Sequence, residues 1–263
     1  MIKKLPIRRI VDKEVSDIED VVVREHTATI LVNGQQVVSL LCSPVHLEEM
    51  AIGFLLSERL INKKNDIIDT EVRDGEKEST VSVTIKESPG IIRYISSGRL
   101  IASSGGKSVS PEDGITGEPC NEITSAIEIP HDNIFTLMKE FHKRSPVFTA
   151  TGGVHSVALC SSEDILVFHD DIGRHNAMDK VLGEGFLREI NTADAIIFTS
   201  GRISSEILLK VARMGIPAIV SVSAPTDRAV ELAERIGITL VGFVRGSKMN
   251  IYSHARRIKI HDK

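Results

Sequence analysis

The feature that most constrains this fold is a regular alternation of apolar runs and helical segments between residues 129 and 263. Five of the apolar runs are short, rich in β-branched residues and bounded by Gly, Ser or Asp, which is typical of buried strands. They occupy residues 154–160, 165–168, 195–199, 218–222 and 239–244. Segments with helical periodicity accompany them, at residues 132–143, 173–189, 203–214 and 225–236. The alternation predicts a three-layer α/β domain with a largely parallel sheet over residues 129–263.

The sequence pattern of residues 1–95 predicts a smaller, β-rich domain with one helix. Two β-type runs flank Asn33-Gly34, a pair that accepts the positive φ angles of a tight hairpin turn. Ser43-Pro44 is typical of a helix start, and apolar residues at helical spacing then predict an amphipathic helix to about Leu60. Further β-type runs follow near residues 67–73 and 80–86. Together with the C-terminal half, this makes the chain α+β overall.

The two predicted domains are separated by a loop or linker at residues 96–128. Its first part, residues 96–121, is rich in Gly, Ser and Pro and has few candidate core residues. A loop of this length is uncommon inside a compact domain and is usually functional or a linker. Cys120 lies in it, and we expect this thiol to be more accessible than the other cysteines.

The cysteine pattern indicates a reducing compartment. The three cysteines, Cys42, Cys120 and Cys160, are far apart and form neither a disulfide framework nor a C-x-x-C motif. The N-terminus lacks the apolar core of a secretion signal, and no apolar run reaches membrane-spanning length. With a net charge of −4 and no strongly basic stretch, the chain has no footprint for nonspecific nucleic-acid binding. These observations predict a soluble cytoplasmic protein without a nucleic-acid or membrane partner.

Polar turns follow the predicted strands of the C-terminal domain. Since the carboxyl ends of parallel strands meet at one edge of a sheet, we expect these turns to converge there. The side chains expected at this edge are Asp171, Arg174, Ser200, Arg202, Ser223 and Arg245. Three of the turns open predicted helices, whose free N–H groups suit an anion, and the arginines add cationic donors. The pattern favours a phosphorylated or otherwise polyanionic ligand.

Histidines near this edge have two open interpretations. His155 and His175 are candidate pocket residues together with Asp171, Arg174 and Arg202, either as metal ligands or as hydrogen-bonding groups. Two histidines without a third strong ligand favour hydrogen bonding, so no structural metal is expected. The sequence has no G-x-G-x-x-G after a first strand, no P-loop and no zinc-deaminase signature, which leaves those nucleotide and metal sites unsupported.

Several long segments resemble a known family. TGGVHSVALC, DDIGRHNAMDK, SGRISSE, SVSAPT and GFVRGSKMNIY, preceded by SPVHLEEMAIGFLLSERLI, are similar in content and order to the formate dehydrogenase accessory sulfurtransferase family, FdhD. The resemblance covers nearly the whole chain. It implies a cytidine-deaminase-like C-terminal domain without the deaminase zinc site.

The resemblance also implies a function. Members of the family take sulfur from a cysteine desulfurase as a cysteine persulfide and pass it to the molybdenum cofactor of formate dehydrogenase. They bind the bis(molybdopterin guanine dinucleotide) form of that cofactor, and a homodimer is expected from the family. The family's cofactor-binding segment corresponds here to Phe243, Val244, Arg245, Gly246, Ser247 and Lys248.

One departure from the family pattern leaves two functions open. Many members carry a C-x-x-C pair in the mid-chain loop, whereas the matching residues 96–108 contain no cysteine. Cys120 is then the candidate catalytic thiol, although the neighbouring Glu118 would raise rather than lower its pKa. The alternative is a non-catalytic chaperone or docking protein that binds the molybdenum cofactor without covalent chemistry.

Overall fold

The computed structural model describes residues 1–86, 101–102 and 122–260, the pair 101–102 as backbone only. Most of the predicted linker at 96–128, including Cys120, lies outside these residues. The chain begins with a separate antiparallel hairpin of β1 (Ile2–Val11) and β2 (Glu14–Val23). This hairpin is not among the elements predicted from the sequence, because charged and apolar residues alternate irregularly along both of its strands.

A five-stranded sheet forms the core of the N-terminal half, with the strand order β5-β6-β3-β4-β7. Its strands are β3 (His26–Val32), β4 (Gln35–Cys42), β5 (Ile67–Arg73), β6 (Glu78–Ile85) and β7 (Ile101–Ala102). The turn between β3 and β4 has φ angles of 49° at Asn33 and 80° at Gly34, as the Asn-Gly pair predicts. The 3₁₀ turn Lys64–Asp66 leads into β5.

Helix α1 (Leu47–Ser57) differs from its prediction in two respects. It begins after His46, which has a left-handed φ of 55°, and not at Ser43. It is also buried on both sides, since Ile52, Gly53 and Leu56 are as inaccessible as the predicted apolar face. The expected amphipathic helix is therefore a central helix, with the N-terminal sheet on one side and the C-terminal half on the other.

The C-terminal half contains a six-stranded sheet in the order β10-β9-β11-β12-β13-β14. Its strands are β9 (His155–Cys160), β10 (Ile165–Asp171), β11 (Ile196–Thr199), β12 (Ala218–Ser221), β13 (Thr239–Arg245) and β14 (Lys248–Ser253). Within the described sheet only the β11–β12 and β12–β13 pairs are parallel. The prediction of a largely parallel sheet was wrong, because β9–β10 and β13–β14 are hairpins that add antiparallel strands at both sides.

Helices cover both faces of this sheet, which confirms the three-layer α/β arrangement. α2 (His131–Lys143) packs Phe141 against Phe198 and other residues of one face. The opposite face is covered by α4 (Arg174–Leu187), α5 (Ser205–Arg213) and α6 (Asp227–Ile236). The remaining described elements are α3 (Pro146–Thr151), the 3₁₀ turn Ala255–Arg257, and the short parallel pair β8 (Ile129–Pro130) and β15 (Ile258–Lys259).

The two halves meet where α1 crosses α4 with glycine at the contact. A Cβ atom at Gly53 would collide with the backbone carbonyl of Asp179, and one at Gly183 with the carbonyl of Glu49. Only residues without a side chain allow the two helix backbones to approach this closely. The crossing therefore fixes how the N-terminal sheet and the C-terminal sheet are joined.

We expect Gly183→Ala to destabilise the protein by about 1–3 kcal/mol, despite the better helix propensity of alanine, because the new methyl group meets rigid backbone. Gly185→Ala is the matched control in the same helix, since its Cβ would meet the movable Leu159 side chain at 2.9 Å. Urea denaturation of both variants measures the difference. A Gly183→Ala variant as stable as the Gly185→Ala variant would contradict the close crossing.

Candidate functional site

The strand directions place the predicted polar turns at one edge of the C-terminal sheet. β10, β11, β12 and β13 all run toward this edge, where the antiparallel β9 begins. The turns also bond to one another: Ile203 N–H donates to the Ala224 carbonyl, and Phe243 N–H donates to the Ser223 carbonyl, at 3.1 Å each. The convergence predicted from the sequence is therefore present in the structure.

Asp171 lies beneath this edge as the centre of a buried hydrogen-bond network. Its carboxylate accepts from Lys180 Nζ at 2.6 Å, from Asn176 Nδ2 at 3.0 Å and from the backbone N–H groups of Ser43 and Gly173 at 2.9 and 2.8 Å. Asp171 and Lys180 are both fully buried. Lys180 also donates to the Ser43 carbonyl at 3.1 Å. Asp171 thus joins the two halves of the chain and is not exposed to a ligand at the edge.

Ser43 has a different role from the predicted one. The sequence suggested that it caps α1, but its hydroxyl accepts from Ile172 N–H at 3.2 Å in the turn after β10. Its backbone N–H and carbonyl are bonded to Asp171 and Lys180. The Ser-Pro pair therefore connects the end of β4 to the site, a long-range contact that a local helix-start signal cannot reveal.

Arg174, His155 and Gly201 lie together above this network. A Cβ atom on Gly201 would be 3.3 Å from Arg174 Cβ and 3.7 Å from His155 Nδ1. Arg174 Nε is buried and has no hydrogen-bond partner among the described residues. A buried donor without a partner is costly, so this N–H is available for an acceptor that binds at the edge.

Two pocket histidines are held neutral by their surroundings. Burial, together with the positive charges of Lys210 and Arg174 and the nearby His155, lowers the pKa of His175 to about 3. Burial and the charge of Arg174 also lower the pKa of His155. Glu206 lies 3.5 Å from His175 Nε2. At neutral pH the positive charge of this cluster therefore comes from Arg174 and Lys210, and the histidines act as neutral hydrogen-bonding groups.

The starts of the three helices at this edge are not equivalent. The hydroxyls of Ser204 and Thr226 cap α5 and α6 by accepting from Ile207 N–H and Ala229 N–H. No described side chain caps α4, which follows Gly173 and has no acidic residue in its first turn. Among the three, α4 is therefore the helix whose N-terminal N–H groups are best placed for an anion.

The predicted cofactor-binding segment 243–248 forms the hairpin between β13 and β14. Arg245, Gly246, Ser247 and Lys248 are exposed at its tip. Phe243 has a left-handed φ of 54° and lies beneath the Arg245 guanidinium, 5.9 Å from ring centroid to Cζ. Val244 is buried in the core, so its side chain does not face a ligand. Arg202, at the neighbouring turn, is exposed as well.

A second buried ion pair, which was not predicted from the sequence, lies below the first. Asp179 accepts from Lys210 Nζ at 2.5 Å and from Ser57 Oγ at 2.8 Å, which ties α4 to α5 and α1. Burial raises the pKa of Asp179, and the Lys210 charge opposes this. Asp179 and Lys180 end the segment DDIGRHNAMDK and lie in a helix that is otherwise rich in buried residues. This position in the helix was the available sign that both charged side chains are buried.

Two of the three cysteines are unsuited to nucleophilic chemistry. Cys42 and Cys160 are both fully buried. Burial, and to a lesser extent the charge of Asp171, raises the pKa of Cys42 to about 12. Burial raises the pKa of Cys160 too. Both thiols are protonated at neutral pH and closed to a partner, while Cys120 lies outside the described residues.

A cleft of about 840 Å³ lies on the N-terminal side of the junction, between the β1–β2 hairpin and the N-terminal sheet. Lys3, Arg24 and Lys77 line it together with Glu25, Glu76 and Glu78. Because the charges are mixed, this cleft is less suited to a polyanion than the sheet edge.

Among the described residues, no helix is long and apolar enough to cross a bilayer.

The fold and the site define a mixed α/β protein with two large sheets, of five and six strands, and a cationic, glycine-containing sheet edge. The chain belongs to the FdhD/NarQ family, whose sequence profile matches residues 23–259. Among similar proteins, "Sulfur carrier protein FdhD" of Geobacillus kaustophilus is 39% identical over 98% of this chain and 97% of its own length. The protein of the same name from Bacillus subtilis is 38% identical over 94% of this chain and 93% of its own length.

A solved structure supports the same assignment. A candidate formate dehydrogenase accessory protein from Desulfotalea psychrophila matches 98% of this chain and 99% of its own, with a TM-score of 0.78 and 27% identity. The α/β fold class and the family predicted from the sequence are therefore confirmed.

We expect the stability of the protein to fall as the pH is lowered from about 6.5 toward 3, with a contribution from His175. In this range the unfolded chain binds a proton at His175 and the folded chain does not, so unfolding becomes easier. His175→Gln removes this proton uptake and should make the pH dependence shallower. Arg202→Gln, which keeps both histidines, is the control. Unfolding curves at several pH values test this, and parallel wild-type and His175→Gln profiles would contradict it.

Proposed function

We propose that this chain is a sulfur carrier that serves the maturation of formate dehydrogenase. The observation that carries the proposal is the family membership over residues 23–259, with relatives named sulfur carrier proteins that match over nearly their whole length. In this proposal a cysteine desulfurase supplies the sulfur, and the molybdenum cofactor of formate dehydrogenase receives it.

The carrier thiol in this proposal is Cys120. Cys42 and Cys160 are buried and have raised thiol pKa values, which leaves Cys120 as the remaining cysteine of three. Its thiolate attacks the terminal sulfur of the persulfide on the desulfurase. The sulfur–sulfur bond of the donor breaks, the donor cysteine leaves as a thiolate, and Cys120 becomes the persulfide.

The sheet edge suits the anionic part of the molybdenum cofactor in its bis(molybdopterin guanine dinucleotide) form. Arg174 offers a buried N–H without a described partner, and α4 starts beside it without a described side-chain cap. Arg202, Arg245 and Lys248 are exposed at the turns of the same edge. These residues would bind the phosphates of the guanine dinucleotide and orient the cofactor, which supplies the metal centre that accepts sulfur.

The other pocket candidates have supporting roles in this proposal. His155, neutral and adjacent to Arg174, is a hydrogen-bonding group near the phosphates. His175 holds the first turn of α4 against Glu206 of α5. Asp171 acts indirectly, because its contact with Gly173 N–H shapes the turn that precedes Arg174.

A second function rests on the departure of the mid-chain loop from the family pattern. Residues 96–108 contain no cysteine, so the C-x-x-C pair of many members is missing. A chaperone or docking protein that binds the molybdenum cofactor without accepting sulfur would keep the same sheet edge. The two functions differ in one observable property, the addition of sulfur to a defined cysteine.

Two further features complete the proposal. A homodimer is expected from the family resemblance. A cytoplasmic location agrees with cysteines that form no disulfide framework.

We expect GDP, as a probe for the guanine dinucleotide, to bind Arg245→Ala about 10- to 100-fold more weakly than wild type, which corresponds to about 1.5–3 kcal/mol for one charge-assisted contact. Arg73→Ala is the control, because Arg73 is an exposed arginine on the N-terminal sheet. Calorimetric titration measures all three affinities. Equal affinities for wild type and Arg245→Ala would remove Arg245 from the site.

We expect wild type incubated with a cysteine desulfurase and cysteine to gain one sulfur atom on Cys120, and Cys120→Ser to gain none. Cys160→Ser is the control, because the Cys160 thiol is buried and should not take part. Mass spectrometry of the intact chain and its peptides locates the added sulfur. A wild-type chain that gains no sulfur, or a Cys120→Ser chain that fully supports formate dehydrogenase maturation, would favour the chaperone function.

A further inference from the structure

Two histidines and a glutamate from distant parts of the chain meet at the junction of the two halves. One ligand atom from each of His46, His169 and Glu184 lies within 4.8 Å of the other two. His169 Nε2 is 2.6 Å from Glu184 Oε2, and the two imidazole rings are 4.2 Å apart between centroids. The group lies outside the cationic sheet edge, and the proposed function uses none of its members.

Three different elements hold these side chains in place. His46 is the residue before α1 and has a left-handed φ of 55°, a conformation that histidine adopts more readily than most residues other than glycine. His169 belongs to β10 and its side chain is 5% exposed. Glu184 belongs to α4 and its side chain is 25% exposed. The close crossing of α1 and α4 brings His46 and Glu184 together.

The ligand atoms have almost the spacing that zinc requires. Zn²⁺ binds imidazole nitrogen and carboxylate oxygen at about 2.0–2.2 Å in a tetrahedron, which places ligand atoms about 3.3–3.6 Å apart. The observed distances, from 2.6 Å to at most 4.8 Å, bracket this value, so small side-chain rotations suffice. The His46 side chain is 47% exposed, which leaves a path for entry and a fourth position for water.

Two neighbouring charges would orient the ligands. Glu49 Oε1 lies 3.4 Å from His46 Nδ1, which leaves Nε2 of that ring for a metal. Arg188 Nη1 donates to Glu184 Oε1 at 2.8 Å, which leaves Oε2 on the side of His169. Carboxylate partners of metal-binding histidines of this kind fix the ring orientation and increase the affinity for the metal.

A purely structural hydrogen bond explains only part of this arrangement. It accounts for the His169–Glu184 contact. It does not account for a second imidazole whose ring lies 4.2 Å from the first, between centroids, and which carries its own carboxylate partner. We propose that His46, His169 and Glu184 form a zinc site with Glu49 as an outer partner. This inference is independent of sulfur transfer and differs from the expectation, made from the sequence, of no structural metal.

The test is a zinc titration of the untagged full-length chain after removal of metal by a chelator, against a chromophoric competitor. Cys120→Ser serves as the background, so that this thiol does not compete for the metal. We expect one equivalent of Zn²⁺ to bind, and the affinity to fall at least 100-fold in His46→Ala and in His169→Gln. Glu49→Gln should weaken binding by about 10-fold, as loss of an outer partner does.

His131→Ala is the matched control. His131 Nε2 is also close to a carboxylate, at 3.3 Å from Asp132 Oδ1, but it does not belong to the three-residue group. The zinc affinity of the His131→Ala variant should equal that of the background protein. His46→Ala changes a half-exposed side chain and is therefore expected to fold, which circular dichroism before the titration confirms.

A second measurement reports the geometry. Cobalt in place of zinc should give the intense visible absorption of a tetrahedral site, and His46→Ala should lose it. Zinc should also raise the melting temperature of the background protein and leave that of His46→Ala unchanged. Equal zinc affinities for the background protein, His46→Ala and His131→Ala, or weak cobalt absorption typical of six water and oxygen ligands, would overturn the proposal.

Discussion

The buried contact between Asp171 and Lys180 is the interaction on which the rest of the structure depends. A buried ion pair is not stabilising by itself, because removing both charges from water offsets their attraction. Here the carboxylate also accepts from Asn176 and from two backbone N–H groups, and the ammonium group also donates to the Ser43 carbonyl. A shift of one half against the other would leave these buried groups without partners, which is costly, so the contact favours this way of joining the halves.

The glycines at the helix crossing and this ion pair act on the same helix. Gly183 lets α4 approach α1, and Lys180, one turn earlier, reaches back to Asp171 at the end of β10. The start of α4 is thereby fixed relative to the sheet edge. Arg174 and His175 lie in that first turn, so the chemistry of the edge depends on contacts buried beneath it.

The family assignment and the geometry support different parts of the proposed function. Family membership supports sulfur transfer in formate dehydrogenase maturation, while the cationic edge supports binding of a phosphate-bearing ligand. The burial of Cys42 and Cys160 connects the two parts, since it is the reason for which Cys120 is the proposed carrier thiol. A zinc site at His46, His169 and Glu184 would add a further link between the halves at the same junction.

The sequence by itself determined the local elements and the edge at which the turns meet. Periodicity and turn residues identified the β3–β4 hairpin, β5, β6, the strands from β9 to β13 and the described helices except α3, because these signals arise between neighbours in the chain. The β1–β2 hairpin and β14 gave no clear periodic signal. The sequence also predicted that His155, Arg174 and Arg202 lie at or near this edge, and it predicted the family.

Only the tertiary structure decided which of the polar residues are buried. Asp171 and Arg174 stand three positions apart and look equivalent in the sequence, yet the first is fully buried and the second reaches the edge. Ser43 contacts residues more than a hundred positions away, and α1 is buried on both sides because a second half packs on it. Such contacts depend on the packing of distant segments, and a local pattern carries no information about them.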